Sequence, residues 1–208
     1  MKGVDYVGSR IMHLIIANRI AERLSIKDRT AFLLGGIAPD AINAKDSSHF
    51  FRGDHSNYSR HIDYQEFLNK YSSIKDSPYI LGYYTHLIAD DLWLQGFYVA
   101  WLKIRIESDD TIAKAYHNDF NLLNGKLLEY YGYEDEFGEL LKMSSEVINL
   151  EEVPKENIQK FIQYVLEDID YDQNDINEDL KVFNLEQIIG YIETSVDKGV
   201  IYIKPLVN

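Results

Sequence analysis

Apolar positions fall along this chain in two regimes. Between residues 79 and 106, Leu81, Leu87, Ile88, Leu92, Leu94, Val99 and Leu102 leave no continuous polar stripe at helical pitch. A helix that is apolar nearly all round belongs at the centre of its domain. Ser77-Pro78 sets its start, an N-cap followed by proline at the first helical position. A second helix of similar density follows Ser9 as N-cap, carrying Ile11, Met12, Leu14, Ile15, Ile16, Ala17, Ile20, Ala21 and Leu24. A third is expected over residues 27–34, stopped by Gly35-Gly36. Ile37-Ala38-Pro39-Asp40 then reads as a loop, because proline forces the residue before it into extended geometry.

The second regime is amphipathic. Residues 134–149, 154–170 and 184–196 carry apolar side chains three to four apart, the last with Asn184 and Gln187 in a capping arrangement. Residues 62–71 predict a short helix, and residues 111–131 a long one capped by Asp109-Asp110. The polar stretch 44–60 has no helical or strand period and reads as a long loop, of the kind that in compact domains tends to be functional. Val200-Ile201-Tyr202-Ile203 is a β-prone tail with no second strand run to build a sheet. The expected fold class is all-α, in a single domain over residues 1–208.

Polar residues inside the apolar helices carry the chemistry. His86 and Asp90 are four apart on the central helix, so they share a face, with Gly82 one turn before and Trp93 and Phe97 after. A buried imidazole beside a buried carboxylate must be satisfied. The pair alone reads either as a metal clamp, since both ligand types suit zinc, or as a core histidine hydrogen-bonded to an aspartate. His13 lies in the other buried helix, which should pack on the central one. The intervening loops bring Asp40 and His49. Three histidines and two carboxylates from two buried helices and two loops are too many to be separate satisfied core groups.

Composition narrows the chemistry further. The 208 residues are 46% hydrophobic and 26% charged, an ordinary globular balance. With no cysteine, disulfides and thiolate zinc sites are excluded. The net charge of −13 argues against a nucleic-acid groove, which lysine and arginine would lead. That charge is uneven: residues 133–198 hold eighteen acids against five bases, and residues 1–30 hold six bases against three acids. The acidic third reads as a solvated face. The start of the chain has no continuous apolar core like a signal peptide's, and no run is long and apolar enough to span a bilayer, so a cytoplasmic protein is expected. The pattern does not specify an oligomeric state.

Met12-His13-Leu14, Ala38-Pro39-Asp40, Ser48-His49-Phe50 and Gly82-Tyr-Tyr-Thr-His86-Leu-Ile-Ala-Asp90-Asp91-Leu-Trp93, in that order, resemble the zinc-dependent phospholipase C family, which is related to the fungal single-strand nucleases. The likeness covers roughly the first half of the chain. It implies that Asp40, His49, His86 and Asp90 hold one zinc ion, that Asp90 bridges to a second also held by His13, and that Asp40 acts as general base on the attacking water. The chain also departs from the family pattern. Secreted members chelate zinc through an amino-terminal tryptophan, whereas several residues precede the first helix here. Gly96 and Phe97 stand where a further histidine ligand is found, and His117 is followed at the fourth position by Asn121 rather than an acid. Two zinc ions are therefore expected; His117 or Asp119 would at most complete an altered third site.

His55 and His61 lie in the polar loop and at its exit, and read as solvent-exposed. Tyr83, Tyr84, Trp93 and Phe97 read as core packing. The resulting expectation is a metal-dependent hydrolase of a small phosphate ester, most simply a phosphodiester. A second class is a non-catalytic helical protein with a structural or ligand-sensing metal site. Structural sites are closed by protein ligands, whereas catalytic sites keep an open position. The all-helical His-Asp phosphohydrolases fit poorly, because no His-Asp dipeptide occurs.

Overall fold

At the middle of the molecule two helices touch backbone to backbone. A computed structural model describes residues 9–143 and 145–207; the chain start that was read for a leader lies largely outside them. Helices α1 (Arg10–Leu24), α2 (Arg29–Ile37) and α5 (Pro78–Trp93) form the centre. A Cβ added to Gly35 of α2 would stand 2.0 Å from the Tyr79 carbonyl oxygen, and one added to Gly82 of α5 would stand 1.9 Å from that of Phe32. Only glycine permits this approach.

Gly35-Gly36 therefore does not end its helix, as the sequence suggested. The helix runs through to Ile37, and a 3-10 turn, Ala38–Ala41, follows where a loop was expected. Tertiary contact at the crossing outweighs the poor helical propensity of the two glycines.

Around this centre the chain adds α3 (Lys45–Ser48), a two-stranded ribbon of β1 (Phe51–Arg52) and β2 (His61–Ile62), and α4 (Tyr64–Lys70). The stretch 44–60 thus contains a helical turn and a strand, not loop alone. Beyond Trp93 the central helix continues as a wide π-helical segment, Leu94–Leu102, and then α6 (Lys103–Ser108). Next come α7 (Asp110–Tyr131), α8 (Glu134–Leu140), α9 (Lys155–Ile169) and α10 (Leu185–Ile203). The fold is all-α.

Two further stretches differ from what their sequence predicts. The helix predicted to reach residue 149 ends at Leu140, and the chain beyond buries Leu150 and Val153 without helical structure. The β-prone tail is the last turn of α10. Ile188, Ile192, Val196, Gly199 and Ile203 line the buried face of α10, so packing overrides the strand propensity of residues 200–203. The buried apolar side chains join in one cluster from Ile11 to Ile203.

A candidate metal centre

Five of the polar side chains embedded in that apolar centre converge on one point. His13 comes from α1, Asp40 from the 3-10 turn after α2, His49 from the end of α3, and His86 and Asp90 from α5. His13, His49 and His86 are at most 2% exposed. Asp90 is the pivot. Its Oδ1 lies 3.2 Å from His13 Nε2, while its Oδ2 lies 3.2 Å from His49 Nε2 and 3.3 Å from His86 Nε2. Asp40 Oδ1 lies 3.5 Å from His49 Nε2 on the far side. Ligand-type atoms of His13, His86 and Asp90, and those of Asp40, His49 and His86, fall in two groups close enough to hold a metal ion.

Each side chain is aimed by packing and hydrogen bonding. The α2–α5 crossing sets the Gly36 carbonyl oxygen 2.7 Å from His86 Nδ1. A carbonyl only accepts, so Nδ1 carries the proton and Nε2 offers a lone pair to the cluster. The His13 ring stacks on His86 with centroids 3.7 Å apart. Its helix is held at the start by Ser9, whose Oγ accepts from the Met12 N–H and donates to Asn124 Oδ1 on α7.

His49 is positioned from both sides. Its Nδ1 is 2.9 Å from Ser48 Oγ, and the Tyr83 hydroxyl of α5 donates to the Ser48 carbonyl at 2.6 Å. Phe50, next in the chain, takes a left-handed φ of 52°. That conformation costs roughly 1–2 kcal/mol in a non-glycine residue. It is held by the Asp63 N–H on the Phe50 carbonyl and by packing of the Phe50 ring against Phe67. Asp91, one residue beyond Asp90, accepts from the Ile62 N–H and ties the ribbon to α5.

The ionisation pattern follows from this crowding. Burial opposes charge on Asp90, but the imidazoles of His86 and His13 outweigh it and hold the carboxyl well below its usual range. Burial likewise opposes charge on Asp40, against the stronger pull of the Lys45 ammonium and His49, and its pKa is also lowered. Burial lowers His86, helped by His13. For His49 the two carboxylates overcome burial and raise it.

The donor set fits a metal. The neutral His86 Nε2 and the Asp90 carboxylate both offer lone pairs across 3.3 Å, an arrangement that needs a shared cation or proton. Asp40 Oδ2 and His13 Nδ1 are buried without a hydrogen-bond partner. Imidazole and carboxylate oxygen are the ligands that zinc takes when no thiolate is available.

The residues considered for a third site are placed differently. Both Asp119 oxygens are occupied by the backbone N–H groups of Lys181, Val182 and Phe183, at 2.7–3.1 Å. His117 is exposed, and neither residue joins a metal-type group among the described residues. His61 is exposed and His55 half-buried. Trp93, Tyr83 and Tyr84 are core residues, with Phe97 stacked on Trp93.

Sequence reasoning passed over Lys45. Its Nζ lies 2.6 Å from Asp40 Oδ1, and its contact with that turn depends on the short helix that had read as loop. A lysine five residues after a Pro-Asp pair was the available signal.

The fold and cluster together define a class: an all-helical protein whose centre is a histidine set joined by one carboxylate, of the kind that holds metal ions. Within that class the family is specific. The model of the zinc-dependent phospholipase C family matches residues 12–195, and the chain belongs to this family. The match reaches well past the first half that carried the resemblance, taking in α7 to α9 and the first part of α10. No curated protein and no solved structure matches the chain. Membership makes the protein a zinc-dependent, phospholipase C-like hydrolase. Among the described residues, no helix is long and apolar enough to cross a membrane.

Proposed function

We propose that this protein hydrolyses a small phosphate ester, most simply a phosphodiester, at a site of two zinc ions. Asp40, His49, His86 and Asp90 would hold one ion; His13 and the other oxygen of Asp90 would hold the second. The observation that carries this reading is the split of Asp90, with one oxygen toward His13 and the other toward His49 and His86. Zinc, when bound, supplies positive charge to the phosphoryl oxygens and lowers the pKa of water.

The remaining work falls to the chain's own residues. Asp40 takes a proton from the attacking water on Oδ2, its unpartnered oxygen. Water oxygen bonds to phosphorus, the bond from phosphorus to the ester oxygen breaks, and the proton leaves with the departing alcohol. Gly36 fixes the His86 tautomer, and Ser48 and Tyr83 orient His49, so the donors need not reorganise during the reaction. Asp40 also lines a cavity of about 340 Å³. The acidic surface disfavours a nucleic-acid substrate.

The test is hydrolysis of a panel of phosphomonoesters and phosphodiesters by purified protein, before and after chelation and zinc restoration. Turnover that disappears with the chelator and returns with zinc is expected. A protein that keeps its metal yet turns over no ester would instead be the structural or ligand-sensing form.

A further inference from the structure

The charged side chains around the cavity that opens onto Asp40 are two cations and one acid. Arg10 and Lys45 face it, Phe161 and Tyr164 of α9 form an aromatic wall, and Asp40 is its one carboxylate. Arg10 is held by Asp168 through two hydrogen bonds of 2.6 and 3.0 Å, so its guanidinium is positioned and its charge balanced. Lys45 differs. Its ammonium sits on Asp40 Oδ1 at 2.6 Å and on the Asp40 carbonyl at 3.3 Å, with its side chain 19% exposed. In the reading above, on which this inference rests, Asp40 is a metal ligand, and its negative charge is then shared with the metal. Lys45 is left as surplus positive charge at the mouth of the site.

The aromatic wall does not reverse this polarity. The Arg10 guanidinium already stands over the Phe161 ring, 5.6 Å from its centroid, which takes the position a substrate cation would use. Tyr164, 54% exposed, offers an apolar surface at the rim. A phosphate ester seated here meets cations at its phosphate and aromatic carbon along its alcohol. A trimethylammonium group on that alcohol would meet the Lys45 ammonium as a like charge.

We propose that this cavity is the substrate seat, that Lys45 binds a phosphoryl oxygen, and that the Lys45 charge selects phosphate esters whose alcohol is neutral or anionic over those carrying a quaternary ammonium. Lys45 is a binding and specificity residue, acting as a point charge rather than through proton transfer.

A matched pair of probes isolates the charge: phosphocholine, and 3,3-dimethylbutyl phosphate, in which carbon replaces the ammonium nitrogen. Their affinities for the zinc-loaded protein are read by calorimetry, with zinc content measured on the same samples. The neutral-tailed ester is expected to bind about tenfold tighter, the scale of an unscreened like-charge penalty at a cavity mouth. Lys45→Met should weaken inorganic phosphate binding about ten- to a hundredfold and shrink the preference, at unchanged zinc content. Lys45→Arg should restore most of both.

Phosphocholine binding as tightly as its carbon analogue overturns the proposal on the parent protein alone, whether or not a variant folds. A preference that persists unchanged in Lys45→Met overturns it too. A protein that retains no zinc overturns the di-zinc reading and this proposal together, and the metal measurement separates that failure from the other two.

Discussion

Three buried or nearly buried aspartates occupy two regions of this molecule and do opposite work. Asp119, on α7, has its oxygens filled by three backbone N–H groups of the segment that leads into α10. Asp40 and Asp90, in the apolar centre, face imidazoles and one ammonium, and Asp40 keeps an oxygen without any partner. Burial alone does not distinguish them. The kind of partner does: backbone donors satisfy a carboxylate and finish its role, whereas the His86 lone pair that faces Asp90 leaves that carboxylate needing a shared cation or proton. A buried acid marks chemistry only when its neighbours cannot complete it.

The largest expected effect breaks the centre itself. Gly82→Ala would place a Cβ against the Phe32 carbonyl, where neither helix backbone can yield cheaply. A loss of more than about 3 kcal/mol is expected, read by chemical denaturation, together with loss of bound zinc because Gly36 no longer meets His86. Next comes Asp119→Ala, which strands three backbone N–H groups. It should cost about 2–3 kcal/mol while zinc content per folded chain stays at the parent value. A fall in zinc content there would erase the contrast between the two regions.

His86→Ala sharpens the contrast from the other side. It should lower stability by about 1–3 kcal/mol and also remove metal, in elemental analysis, where Asp119→Ala does not. The smallest structural effect belongs to Asp40→Asn. The amide keeps the shape and most of the metal, so melting should shift little, yet turnover should fall by roughly two to four orders of magnitude. An unchanged metal-normalised rate would remove Asp40 as the base and leave the other four residues standing.

How far the sequence reveals this division depends on the range of the interactions involved. His86 and Asp90 are legible because i, i+4 spacing is local, and His13 because an apolar helix must pack its face somewhere. The Asp90 split is not legible, since it needs the positions of three elements at once. Gly35-Gly36 reads locally as a helix stop; its role as a crossing surface exists only once Gly82 faces it. The tail at residues 200–203 is misread for the same reason, because its strand propensity is a local signal and the buried stripe of α10 is a tertiary one. Asp119 looks like a neighbour of a possible ligand, His117, until the segment from Lys181 to Phe183 folds back onto it.

The central claim is that Asp90 joins two metal ions through its two oxygens. Native mass spectrometry of the zinc-loaded protein tests it most directly, with Asp90→Ala as the paired sample. Two zinc ions per chain in the parent, with neither retained at full occupancy in the variant, is the predicted result. A parent that carries one ion or none, or a variant that keeps both, would contradict it.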